Sequence, residues 1–345
     1  QAEDGIRDVE RSRGLGDVYK RQVNTMALPR SIVVKGMIAV LIATGLWTML
    51  STFLKVPMSV HVCIVGGVIG FGLAVGSSFI SWSNVVKILV AWVVAPLAAS
   101  GTAYVLYPLF SRSFREPRLA RVSLIVASYI TVATPTILIL INTVSISSIV
   151  FASVVTVIIS TIATILIYLY WERRVMDGGT PLHEASKILL IMAATAMAFS
   201  FGSNDVANSA GPLAAILYAL GVGESSTVIW IAIIVATIGL SAGITMWGAR
   251  IIGTIGEKIT PLSPPTAYVA QMSATITMLV VSRLGLPVST SMAIVGGVMG
   301  VGLSRKVQSV NLKLLIRIFT LWLMALPATI GATYIITNIL VHAIS

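Results

Sequence analysis

The run FSFGSNDVANSAGPLAAIL (residues 199–217) sets one carboxylate and two amides among small, apolar neighbours. Asn204 and Asn208 are spaced i, i+4 and Asp205 and Asn208 i, i+3, so a helix presents all three on one face. Carboxylate and amide oxygens ligate hard cations, and amide N–H groups donate to oxyanions. Asp205 is the only acid inside an apolar stretch; Glu116, Glu172, Asp177, Glu184, Glu224 and Glu257 all sit in or beside polar breaks. An aspartate in a membrane span costs about 2.5–3.5 kcal/mol on insertion scales and marks an ion or substrate path. The alternative for any one of the three is a structural hydrogen bond between helices. A second polar cluster, PVSTS (287–291), brings Ser289, Thr290 and Ser291 to the start of a helix. Free N–H groups and the helix dipole attract an anion there, although serine and threonine at that position also serve as ordinary N-caps.

The elements that must position these groups follow from composition. The 345 residues are 57% hydrophobic and only 10% charged, with mean hydropathy +0.96. Soluble domains average about 25% charged residues, so the chain reads as an all-α, polytopic membrane protein. The net charge of +11 does not point to nucleic acid, because the bases sit in short loops between apolar runs. The single cysteine, Cys63, lies in an apolar run and reads as a small buried hydrophobe. Residues 1–22 are polar, without apolar periodicity, and are set aside as a non-native, adapter-derived segment.

Apolar segments of spanning length fall near 33–52, 57–80, 84–110, 121–142, 146–170, 187–221, 227–249, 267–284, 287–304 and 311–342. VPMSVHVCIVGGVIGFGL (56–73) aligns without gaps to LPVSTSMAIVGGVMGVGL (286–303), sharing proline, serine and four glycines in register. This is an internal repeat. It places Ser59 and His61 where the later copy has Ser289 and Ser291. With the Arg-rich loop 112–121 in the cytoplasm, the first copy ends outside at 81–84 and the second inside at Arg305-Lys306. Copies that exit on opposite faces form an inverted-topology repeat, the usual architecture of secondary transporters. Segments 267–284 and 287–304, with Gly285 and Pro287 between them, suit a re-entrant hairpin whose tip holds Ser289, Thr290 and Ser291. Gly202, Gly211 and Pro212 predict a helix broken near Asp205. The paired glycines (66–67, 296–297) predict close helix packing rather than ligand binding.

Taken together, GSNDVANSAGP (202–212), GEKITPLSP (256–264) and LPVSTSMAIVGGVMGVGL (286–303) resemble the inorganic phosphate transporter (PiT) family, and the resemblance covers residues 33–345. It implies a symporter, not an enzyme, that moves inorganic phosphate across the membrane coupled to Na⁺ or H⁺, without a prosthetic cofactor. It implies two inverted repeats: 23–110 as the remainder of the first, 111–185 as linker helices and cytoplasmic loop, and 186–345 as the second. The first repeat's counterpart of Asn204 would fall before residue 1, so the first copy is expected to be truncated. Asn204, Asp205, Asn208, Ser289, Thr290 and Ser291 would form half of a substrate site, with Ser59 and His61 from the other half. Asp205 and Asn204 would also be candidates for the coupling cation. The family's hairpin tip usually reads Ser-Thr-Thr-His; here the copies read Ser289-Thr290-Ser291-Met292 and Ser59-Val60-His61.

A sulfate or other oxyanion permease of the same fold is the alternative. An intramembrane aspartyl hydrolase would need paired aspartates, and a channel would not need hairpin tips meeting at a closed centre. The expected location is the plasma (inner) membrane of a prokaryote. The residues do not set the oligomeric state; a homodimer is one possible assembly.

Overall fold

The computed structural model describes residues 28–143, 149–283, 289–305 and 310–343. The 1–22 segment, the Gly285–Pro287 connection and Lys306 lie outside these. Among the described residues there are ten α-helices, one for each apolar run of the sequence. They are α1 (Arg30–Phe53), α2 (Val60–Val75), α3 (Trp82–Ser113), α4 (Pro117–Thr143) and α5 (Ile149–Met176), then α6 (Pro181–Ala219), α7 (Ser225–Gly253), α8 (Pro264–Arg283), α9 (Thr290–Arg305) and α10 (Leu312–Ala343). A π-helical turn, Thr254–Ile259, extends α7.

Six of these helices, α1, α3, α4, α5, α7 and α10, are long and apolar enough to cross a membrane. Helices α2 and α9 have 16 residues each. At 1.5 Å per residue that is about 24 Å, short of a hydrocarbon core of about 30 Å. The chain is therefore a multi-pass membrane protein with inverted-topology repeats and re-entrant hairpins. Large apolar side chains such as Val93, Leu97, Val150, Leu166 and Leu323 are exposed on its outer helices, as a lipid solvent allows.

The repeat keeps one register well beyond the aligned motif. Val60 and Thr290 begin the short helices, and Trp82 and Leu312 begin the long helices that follow them. Each pair is separated by 230 positions, the same separation as Ser59 and Ser289. The packing between copies is exchanged: α2 lies against α10, and α9 lies against α3. Glycines permit it. A Cβ on Gly66 or Gly70 would overlap Leu326 and Ile330 of α10, and one on Gly296 or Gly300 would overlap the backbone of Pro96 and Ser100 of α3. In a membrane, where helices gain no hydrophobic driving force from each other, such backbone approach supplies the dispersion contacts that hold them together.

One expectation is corrected. Helix α6 runs without interruption from Pro181 to Ala219, through Gly202, Gly211 and Pro212. A true break would leave backbone N–H and C=O groups without water, and α6 is packed on α1, α2, α4, α5, α7 and α8. Staying helical keeps those groups paired.

Two of the basic loops meet. Arg121 at the start of α4 lies 3.8 Å from Glu172 near the end of α5. Arg174 and Lys187 both reach Glu184, at 3.4 and 3.1 Å. An exposed pair such as Arg121–Glu172 contributes only about 0–1 kcal/mol, and its use here is to join the 112–121 and 171–187 segments, whereas the buried Glu184 holds the 171–187 segment to itself.

The glycine contacts set an expected outcome. Gly300→Ala should destabilise the protein by about 1–3 kcal/mol through overpacking against Ser100. Gly101→Ala, on α3 with nothing within 4 Å of the added methyl, should leave stability unchanged or slightly higher. Thermal unfolding of both variants in one detergent compares them directly.

Candidate functional site

Two helix starts and the middle of a third helix converge on one small volume. Ser59 and Ser289 precede the first residues of α2 and α9, and their hydroxyls are hydrogen-bonded at 2.7 Å, Ser289 donating. The N-termini of both short helices therefore face the same point. The first N–H groups of a helix have no acceptor within it, and each terminus carries roughly half a positive charge. Two such ends aimed together make a strong local attraction for an anion.

The hydroxyls of the second tip divide their work. Ser289 Oγ accepts the Met292 N–H at 3.2 Å, an N-cap bond, while donating across to Ser59. Ser59 makes no side-chain cap of its own. Ser291 Oγ donates to the Met58 carbonyl at 3.2 Å and so ties the second tip to the first. Thr290 Oγ1 points the other way and donates to Asp205 Oδ2 at 3.5 Å.

Helix α6 contributes the charged wall. Asp205 is half-buried, and its Oδ1 accepts from Asn208 Nδ2 at 3.5 Å. Both bonds to the carboxylate are at the long limit, so its oxygens retain capacity for a cation or for a hydroxyl of a bound acid. Asn208 is buried, and its Nδ2 also lies 3.1 Å from His61 Nδ1. The carboxylate, amide and imidazole thus form a chain that runs from α6 to α2. Asn204 shares the α6 turn; its side chain lies outside the described residues.

Of the residues singled out in the sequence, the structure brings Asp205, Asn208, Ser289, Thr290, Ser291, Ser59 and His61 together. Sequence reasoning missed the anchors behind them. Trp322 Nε1 of α10 donates to the Pro57 carbonyl at 2.9 Å and pins the first tip from behind. Thr254 Oγ1, in the π-helical turn, donates to the Lys55 carbonyl at 2.8 Å, and Lys55 has a positive φ of 57°. A signal for the tryptophan was present: Trp92 occupies the place in α3 that Trp322 occupies in α10, at the repeat's constant separation.

Comparison with known proteins adds independent findings. The model of the phosphate transporter family matches residues 14–333, beginning inside the segment set aside as non-native. A protein of Chlamydia pneumoniae, provisionally named a phosphate permease, is 32% identical over 325 residues, covering 85% of this chain and 76% of the relative. The Arabidopsis thaliana protein named inorganic phosphate transporter 2-1, chloroplastic, is 31% identical over 346 residues, covering 88% of this chain and 59% of its own length. A solved structure titled "The sodium-dependent phosphate transporter" superimposes with a TM-score of 0.85 at 26% identity, covering 94% of this chain and 84% of that one.

The two serines should not be equivalent. Ser289→Ala removes a cap and the tip-to-tip bond together, whereas Ser59→Ala removes only the latter. Ser289→Ala is expected to be the more destabilising by about 1 kcal/mol. Thermal unfolding of the two single variants and the double variant measures both the difference and the coupling.

Proposed function

The chain belongs to the phosphate transporter family, a transporter and not an enzyme, and from that premise we propose that it takes up inorganic phosphate by alternating access, coupled to Na⁺ or H⁺, with Na⁺ as the leading reading. The observation that carries the proposal is the meeting of two helix N-termini, at Ser59 and Ser289, beside the half-buried Asp205. The helix ends attract the anion. Ser59, His61, Asn208, Ser289, Thr290 and Ser291 line its place, and Asn204 belongs to the same turn as Asp205. Resemblance to a solved sodium-dependent phosphate transporter supports Na⁺ as the driving ion.

A carboxylate beside an anion is explained by protonation. Phosphate near neutral pH keeps one or two protons and donates a hydrogen bond to Asp205. Sulfate keeps none and would meet an unpaired negative charge. Asp205 has a second role open to it: with Asn204 it offers hard oxygen ligands to Na⁺, which would place cation and anion side by side and offset their charges.

In this reading residues 23–110 form one repeat, 186–345 the other, and 111–185 the helices between them. The substrate lies where the hairpin tips of both repeats meet, so rocking one repeat against the other opens the place first to one side and then to the other. Bacterial relatives support the plasma membrane of a prokaryote as the location.

Uptake of labelled phosphate into proteoliposomes tests this. Uptake should saturate, require an inward Na⁺ gradient and persist in excess sulfate. Asp205→Asn should lower it at least tenfold, the equivalent of about 1.4 kcal/mol or more. Inhibition by sulfate would move the assignment to a broader oxyanion permease, and uptake unchanged in the variant would leave Asp205 a structural residue. Uptake driven equally by a proton gradient without Na⁺ would replace the coupling ion.

A further inference from the structure

We infer that His61 links phosphate binding to proton uptake by setting the orientation of the Asn208 amide. The inference rests on the phosphate-transport reading above and adds a residue whose role that reading leaves open. His61 stands where the second copy has Ser291, and where the resembling family usually has a threonine. A titratable ring has replaced a hydroxyl at this one point of the tip.

The geometry defines two states. Asn208 Nδ2 lies 3.1 Å from His61 Nδ1 and 3.5 Å from Asp205 Oδ1. An amide nitrogen only donates, so both neighbours accept, and the ring proton of neutral His61 sits on Nε2. A proton added at Nδ1 turns that atom into a donor facing a donor. Rotation of the Asn208 amide relieves the conflict, because Oδ1 then accepts from the imidazolium. The same rotation replaces the Nδ2 donor beside Asp205 Oδ1 by the amide oxygen, leaving two acceptors together that need a donor between them. Asp205 Oδ1 becomes available to a phosphate hydroxyl, while Thr290 continues to donate to Oδ2. The imidazolium also adds positive charge beside the two helix N-termini. Both changes favour bound phosphate, and by linkage bound phosphate favours the protonated ring.

Among the described residues, no other titratable group on the elements packed against α2 competes for this role. Helix α6 presents Asp205. On α1 the charged residues are Arg30 and Lys35, both near its start, Lys55 follows its end, and the 77–79 turn has none. Helix α10 meets α2 at Leu326 and Ile330; Lys313, Arg317 and His342 are remote from that stretch and Tyr334 is exposed. Cys63 is on α2 itself, buried, and Arg305 ends α9 at its far end.

The test compares wild type with His61→Ser, the residue of the second copy, in the proteoliposome assay between about pH 5 and 8 at saturating Na⁺. Phosphate's own ionisation is common to both proteins and cancels in the ratio of their KM values. That ratio, variant over wild type, should rise about fivefold or more as pH falls. A ratio that stays constant or falls overturns the inference, since a merely structural role shifts KM equally at every pH. Absence of phosphate uptake by wild type would instead overturn the function proposed above, so the two failures are distinct. Nitrogen NMR of ¹⁵N-histidine-labelled wild type in bilayers reads the ring directly. His183 and His342 are assigned by substitution to Gln, so the signal of His61 is known even if His61→Ser does not fold. Unprotonated Nδ1 at pH 8, becoming protonated at a higher pH when phosphate is added, is expected. A proton on Nδ1 without phosphate, or no response to phosphate, refutes it.

Discussion

The hydrogen bond between Ser59 and Ser289 joins two residues 230 positions apart that hold the same place in their repeats. It marks the local two-fold axis of the molecule. Each short helix begins next to that bond, and with 16 residues each is shorter than the bilayer. The anion-attracting ends of α2 and α9 are brought together by that constraint. Neither helix could supply more than half of the field alone.

Around this axis the exchanged packing is a matter of steric detail. Gly66 and Gly70 let α2 approach the backbone of α10, and Gly296 and Gly300 let α9 approach α3. The long helices in turn stabilise the tips, most directly through Trp322 and the Pro57 carbonyl. Helix α6 enters this frame as an unbroken rod and supplies Asp205 and Asn208 at the level of the tips. The meeting point therefore depends on three elements whose positions are set largely by small residues and backbone contacts.

Much of this was legible in the sequence for a physical reason. A membrane span needs a run of apolar residues, so the ten runs foretell the ten helices. A repeat with proline, serine and glycine in register foretells matching backbone geometry. The isolated Asp205 draws the eye to the place where the two tips meet, because a carboxylate in a span is expensive. What misled was Gly202, Gly211 and Pro212: in water they interrupt a helix, but in lipid surrounded by six neighbours the backbone has no better partner than itself. The separate duties of Ser289, Thr290 and Ser291 were not legible, since three adjacent hydroxyls read alike until the direction of each is known. Nor were the carbonyls of Pro57 and Met58, because backbone groups have no signature in side-chain pattern.

The exchanged packing also has a consequence for biogenesis. Helix α2 is among the earliest described elements to leave the ribosome, and its main partner, α10, is the last. At ordinary rates of synthesis the interval between them is on the order of tens of seconds. During that time a 16-residue helix with a glycine face must reside in the translocon or lipid without the surface it was shaped to meet. The first hairpin is thus committed to the membrane before it can assume its final pose. Assembly of the centre is a late event that waits on the carboxyl-terminal helix.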